Sequence, residues 1–158
     1  MNIFTVSFFG HRMIDRPFLI EQRLENLIRR LINTKEYVDF IVGRSGDFDQ
    51  YASSAVLRVR KAVGDHNSSL TLVLPYPTAE YLNNQESFED YYSYIEISDA
   101  ASAAHHKAAF QIRNREMVDR SDLIVCCIER EQGGAWQTIQ YAIKQGKTVI
   151  NLADGTEM

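Results

Sequence analysis

The sequence predicts an α/β fold in one domain, with a mainly parallel sheet covered by helices on both faces. Three observations lead there. The chain is 158 residues long, about one domain; short β-branched and aromatic runs alternate with amphipathic segments; and most of these runs stop at glycine or proline. A hydrophobic fraction of 45% is enough to build a core without disulfides or metal.

The run from Ile3 to Phe9 is apolar at almost every position and ends at Gly10, the pattern of a strand buried on both faces. A helix follows, signalled by Asp15 and Pro17, with Ile20, Leu24, Leu27, Ile28 and Leu31 along one face. Val38 to Val42 is a second strand that stops at Gly43. Asp47 or Asp49 can cap the next helix, whose inner stripe is Ala52, Ala55, Val56, Val59 and Val63 and which Gly64 closes. Leu70 to Leu74 is a third strand, broken by Pro75 and Pro77.

Regularity then fades over 76–106, a stretch rich in Tyr, Asn, Glu and Ser that reads as an elaborated loop. It holds a candidate helix over 86–92 and a short strand over 95–97. Beyond it come a helix from Lys107 to Arg120, a strand from Asp122 to Ile128, a helix from Ala135 to Gln145 with Trp136, Ile139 and Ile143 on one side, and a last strand from Thr148 to Leu152. Strands separated by helices imply right-handed crossovers and a parallel sheet.

Composition excludes several classes. Seventeen Lys plus Arg against twenty-one Asp plus Glu give a net charge of −4, which makes nucleic acid an unexpected partner. There is no run of about 20 apolar residues and no secretory leader pattern, so a cytoplasmic protein without membrane association is expected. Cys126 and Cys127 are adjacent in an apolar run, which fits inert core thiols rather than a disulfide or a zinc site. His105 and His106 diverge by about 100° on a helix, so no metal site is expected of them.

In a parallel sheet the ligand crevice lies beyond the carboxyl ends of the strands, where the strand order reverses. Three glycine turns fall at such ends: Gly10-His11-Arg12, Gly43 to Asp49 with Gly46 inside it, and Glu131 to Thr138 with Gly133 and Gly134. Glycine lets the backbone approach a phosphate, and the N–H groups of a following helix supply oriented donors. A phosphate-bearing guest is the expectation. Neither GxGxxG nor the P-loop pattern occurs, which removes support from an ordinary dinucleotide fingerprint or a nucleoside triphosphatase.

Three stretches carry a resemblance: Ser7 to Arg12, the run Arg113-Asn114-Arg115-Glu116 continuing to Asp122, and Gly133-Gly134 followed by Thr138 and Tyr141-Ala142. Together they resemble the SLOG superfamily, named for the Smf/DprA and LOG proteins, and most of all its YpsA-like branch. The resemblance implies a Rossmann-like fold that binds a nucleotide or nucleotide-derived ligand, requires no other cofactor, and forms a homo-oligomer. Some relatives hydrolyse the N-glycosidic bond of nucleoside monophosphates, and others bind single-stranded DNA. The hydrolytic members carry a GGxGTxxE-type motif. Trp136 and Gln137 stand where that motif has Gly and Thr, and Gln140 stands where it has Glu, so the usual proton-handling carboxylate is replaced by an amide. Glu116 is the weak substitute, with a surface ion pair as its ordinary alternative.

The other candidates each have two readings. Arg12 clamps a phosphate through paired guanidinium hydrogen bonds, or it forms a structural ion pair. His11 bonds a ribose or orients a carboxylate, or it ties its loop to the backbone. Asp49 takes ribose hydroxyls, pairs with Arg12, or caps its helix. Arg113 and Asn114 reach the base or shape the loops. Thr138 adds a donor to the phosphate loop, or bonds a carbonyl within its own turn. Tyr81, Phe88, Tyr91, Tyr92 and Tyr94 form a lid over a base, or they serve packing and subunit contact. Arg44, Arg58, Arg60 and Lys61 form a basic stripe that keeps DNA binding open.

Overall fold

Strand β1 (Ile3–Gly10) lies at the centre of the sheet because its side chains are apolar or small on both faces. Val6 and Phe8 point into one core with Phe40, Leu72 and Phe48, while Phe9 points into a second with Ile41, Ile124 and Ile139. A computed structural model describes residues 1–157 of the chain. Helix α1 (Pro17–Thr34) opens on its proline and buries the expected face, Ile20 to Leu31, with Ile32 added. Strand β2 (Tyr37–Val42), helix α2 (Asp47–Val63) and strand β3 (Ser68–Leu74) follow. Gly64 closes α2 at φ 102°, a conformation glycine favours.

The 76–106 segment contains the expected helix and short strand, and two further short helices make it more regular than an elaborated loop. It forms helices α3 (Ala79–Asn83) and α4 (Gln85–Tyr91), strand β4 (Tyr94–Ile97) and helix α5 (Asp99–Ala103). β4, the expected short strand, is an edge strand: three of its four residues face solvent and only Ile95 is half-buried. The strand is held by a parallel ladder to β3 and by Ser93 and Ser98 N–H groups donating to the Leu70 and Leu74 carbonyls, at 2.8 and 2.9 Å. Phe88 and Tyr92 are buried in the first core, so most of the aromatic cluster packs α4 onto the sheet.

Helix α6 (His106–Asp119), strand β5 (Leu123–Cys127), helix α7 (Gly134–Lys144), strand β6 (Thr148–Asn151) and a two-residue strand β7 (Thr156–Glu157) complete the described chain. The strand order is β4-β3-β2-β1-β5-β6-β7, parallel throughout except for β7. The sheet therefore grows outward from β1 to β4, then the chain crosses back through α6 and resumes beside β1. The reversal falls between β1 and β5. Helices α1 and α2 cover one face, and α6 and α7 cover the other. In α7 the buried residues are Thr138, Ile139 and Ala142, whereas Ile143 is exposed. The helix turns its Ala142 edge to the sheet, so the stripe is rotated from the Trp136-Ile139-Ile143 line.

Local geometry places three further sets of residues. Neither Asp47 nor Asp49 caps α2; the cap position is Gly46 and makes no side-chain bond. His105 caps α6, its Nδ1 accepting the Lys107 N–H at 3.2 Å, and His106 stacks on Tyr76 with ring centroids 4.4 Å apart. Cys126 and Cys127 are free and buried, and burial pushes both thiol pKa values up, which leaves them protonated.

Candidate functional site

A cavity of about 530 Å³ opens at the β1/β5 reversal, a volume within the range of ligand sites. The ends of β1 and β2, the loop after β5 and the first half of α6 supply its walls. Gly10, Gly43 and Gly133 share this one space, as convergence of the three turns requires.

The glycines do different jobs there. A Cβ on Gly10 would stand 2.4 Å from the Phe48 ring, so this glycine lets α2 pack against the end of β1. At Gly43 a Cβ would meet the Arg113 guanidinium at 3.0 Å, so the missing side chain makes room for that group. Gly46 does not line the cavity. Its Cβ would sit 2.6 Å from the Arg12 backbone, where the Asp47 N–H donates to the Arg12 carbonyl at 2.9 Å. The N-terminus of α2 is thus closed by the β1–α1 loop, not open to an anion.

The α7 end is open. Gly133, at φ 93° and ψ 178°, occupies a region almost restricted to glycine, and no side chain caps the helix. The first intrahelical bond runs from the Gln137 N–H to the Gly133 carbonyl at 3.1 Å, so the N–H groups of Gly134, Ala135 and Trp136 have no acceptor within the helix. This end is held in place by side chains behind it. Gln111 Nε2 donates to the Gly134 carbonyl at 3.2 Å, and Asn114 Nδ2 donates to Thr138 Oγ1 at 3.0 Å. The Thr138 hydroxyl itself bonds the Gly134 carbonyl at 3.0 Å. Thr138 is buried and outside the cavity lining, which selects the carbonyl-bonding alternative over the phosphate donor.

Arg113 is 3% exposed, and its guanidinium is almost fully engaged by the protein. Nη1 donates to the Val73 carbonyl at 2.7 Å, Nε to Asn114 Oδ1 at 2.8 Å, and Nη2 to Ser45 Oγ at 3.4 Å. It knots β3, the β2–α2 loop and α6 beneath the cavity. Burial lowers its pKa, and the nearby Asp49 carboxylate opposes that shift. Asp49 is the carboxylate in the cavity wall. Burial raises its pKa, opposed by the Ser45 N–H donating to Oδ2 at 2.7 Å and by Arg113. Its charge partner is Arg113, not Arg12.

His11 is buried in the wall, and its Nε2 accepts the Arg130 N–H at 3.4 Å. That bond requires a lone pair on Nε2. Burial, reinforced by the Arg130 charge, moves the His11 pKa below its ordinary value. His11 therefore ties the β1 and β5 loops together, the second of its two alternatives. Arg12 and Arg130 are exposed at the cavity, and neither guanidinium makes a hydrogen bond or ion pair with the described residues. They are the unpaired positive charges of the site.

Nine of the eleven proposed ligand residues line the cavity: Gly10, His11, Arg12, Gly43, Asp49, Arg113, Asn114, Gly133 and Gly134. Gly46 and Thr138 do not. Glu116 also lies elsewhere: it faces the β4–α5 side of α6 and bonds the Ser98 hydroxyl. It cannot serve a ligand in this crevice. Ser45, Phe110, Gln111, Arg130 and Gln132 join the wall unforeseen. Phe110 and Gln111 were readable in principle, since each precedes a predicted site residue on α6 by three positions, the spacing of one helix face. The three arginines of the basic stripe are each partnered within the protein. Arg44 pairs with Glu80 and Arg58 with Glu25, and Arg60 bonds Ser68 and Ser93.

No protein-family model and no curated protein matches the sequence. Among solved structures, the chain is similar to an X-ray structure of DNA processing protein A (DprA) from Streptococcus pneumoniae, with a TM-score of 0.68 and 17% identity. The match covers 94% of this chain and 50% of that one, so the chain spans about half the length of that protein. At this identity the likeness is one of fold, a Rossmann-like α/β architecture. No helix among the described residues is long and apolar enough to cross a membrane.

Proposed function

We propose that the protein binds a nucleotide or nucleotide-derived ligand in the crevice at the β1/β5 reversal. The observation that carries this reading is one cavity that combines an uncapped helix N-terminus with two unpaired guanidiniums, Arg12 and Arg130. The phosphate sits against the Gly133-Gly134 turn, where backbone donors and the helix dipole favour negative charge. Arg12 and Arg130 close on it from the rim. The Phe110 ring supplies a stacking surface for a base, and Asp49 an acceptor for ribose hydroxyls. The sequence resemblance to the YpsA-like branch supports the same class of ligand.

Isothermal titration with mononucleotides, NAD and ADP-ribose tests this. At least one binds, and Arg12→Ala weakens it by about tenfold or more, the worth of a charge-assisted hydrogen bond, with no change in folding stability. Failure of every ligand to bind overturns the proposal.

Single-stranded DNA is the second reading. The fold likeness to a DNA processing protein favours it, and the net charge of −4 is no ground for dismissing it once the local charges at the crevice are positive. A labelled oligonucleotide then binds with an affinity that falls steeply with salt; a flat titration at low salt removes this reading. N-glycosidic hydrolysis has less behind it, since Glu116 is outside the crevice and Gln140 is exposed. Release of free base from nucleoside monophosphates measures it directly.

A further inference from the structure

A second cavity, of about 240 Å³, adjoins the first over the ends of β2 and β3. The two share four wall residues: Arg12, Ser45, Phe110 and Arg113. At this size the annex is smaller than a self-standing ligand site, which spans roughly 300–1,000 Å³, so it extends the main crevice. We infer that the ligand is a two-lobed diphosphate, a nucleoside diphosphate carrying a second ribosyl group, with its nucleoside part in the main cavity and the second lobe in the annex.

The neck between the two spaces supports this. Of the two guanidiniums there, Arg113 is tied to Val73, Asn114 and Ser45, whereas Arg12 has no partner among the described residues. A free guanidinium facing both cavities is suited to a phosphate that bridges them. The Phe110 ring lines both spaces and forms the partition. It meets Tyr76 edge-on, with centroids 5.9 Å apart, and the Arg113 guanidinium lies 5.5 Å from its centre. The annex wall beyond it is Leu74, Pro75 and Thr78, with the carboxylate of Glu80 held by Arg44 at 2.8 Å. An apolar floor with one fixed carboxylate at the edge suits a sugar: its C–H face rests on the floor and its hydroxyls donate to Glu80.

This inference rests on the nucleotide reading above, and the experiment separates the two. Calorimetric titration of the full chain compares AMP, ADP, ADP-ribose and NAD. ADP-ribose or NAD binds at least about tenfold tighter than ADP. Thr78→Trp, which fills the annex, erases that gap and leaves ADP binding unchanged. Glu80→Ala, which keeps the α3 cap at Thr78 and lies outside the main cavity, narrows the gap and decides the matter where the Trp variant does not fold. Equal affinity for ADP and the two-lobed ligands, or a gap that survives both substitutions, overturns this inference and leaves the nucleotide reading standing. No binding by any of the four overturns both.

Discussion

Replacing Arg113 with Met tests the central electrostatic arrangement. Met keeps much of the apolar stem and removes the guanidinium, together with its bonds to the Val73 carbonyl, Asn114 and Ser45. The Val73 acceptor is buried, and leaving such a group unsatisfied costs about 1–3 kcal/mol; the two part-buried bonds add less, for a total of roughly 3 kcal/mol. In a domain of this length that is a fall of about 6–12 °C in Tm. The loss also depends on pH. Burial raises the Asp49 pKa and Arg113 restrains the rise, so the native state already holds this proton more tightly than the unfolded chain. Stability linked to Asp49 is therefore full below the unfolded carboxyl pKa and is lost as pH rises through the folded value. Without Arg113 the folded value moves higher, so the deficit of the variant grows from acid to neutral pH. Urea denaturation at about pH 5 and pH 7.5 reads this out, and adding Asp49→Asn to the variant recovers part of the neutral-pH loss. A deficit under about 1 kcal/mol, or one identical at both pH values, refutes the reasoning.

Three other outcomes follow from the same geometry. The His11 pKa is lowered by burial, so its contribution to stability is present above the unfolded value and lost as pH falls through it towards the folded one; His11→Gln flattens this part of a pH–stability curve. Gly10→Ala drives a methyl group into the Phe48 ring and costs about 1–3 kcal/mol in chemical denaturation, a loss that Phe48→Leu partly relieves. Gly133→Ala meets no atom within 4 Å, so its cost of about 1–3 kcal/mol is purely one of backbone conformation. It also weakens nucleotide binding in calorimetry, whereas Gly134→Ala, with its Cβ in ordinary contact with Gln111, does neither.

Much of the architecture was legible because strands β1, β2, β3 and β5 are largely buried on both faces and read as mainly apolar runs. Edge strand β4 was legible as a short run over 95–97, whereas helices α3 and α5 were not, since each is five residues long and buries at most one side chain. The crevice was legible as a place, because parallel sheets bind ligands beyond their strand ends and three glycine turns marked those ends. Arg130 was passed over although it sits three residues before Gly133, and Glu116 was included although its helix turns it toward Ser98.

By itself, then, the sequence determined the order of strands and helices, the two buried faces and the turns that gather at one end of the sheet, because periodicity and chain breaks are local properties. Only the tertiary structure decided what each glycine and charge does there. A missing Cβ signals that something comes close without saying what: for Gly10 it is Phe48, for Gly46 the backbone of Arg12, and for Gly133 open space at a helix end. An arginine likewise carries the same charge whether it is engaged, as Arg113 is by Val73, Asn114 and Ser45, or free at the rim, as Arg12 is. That difference depends on neighbours distant along the chain.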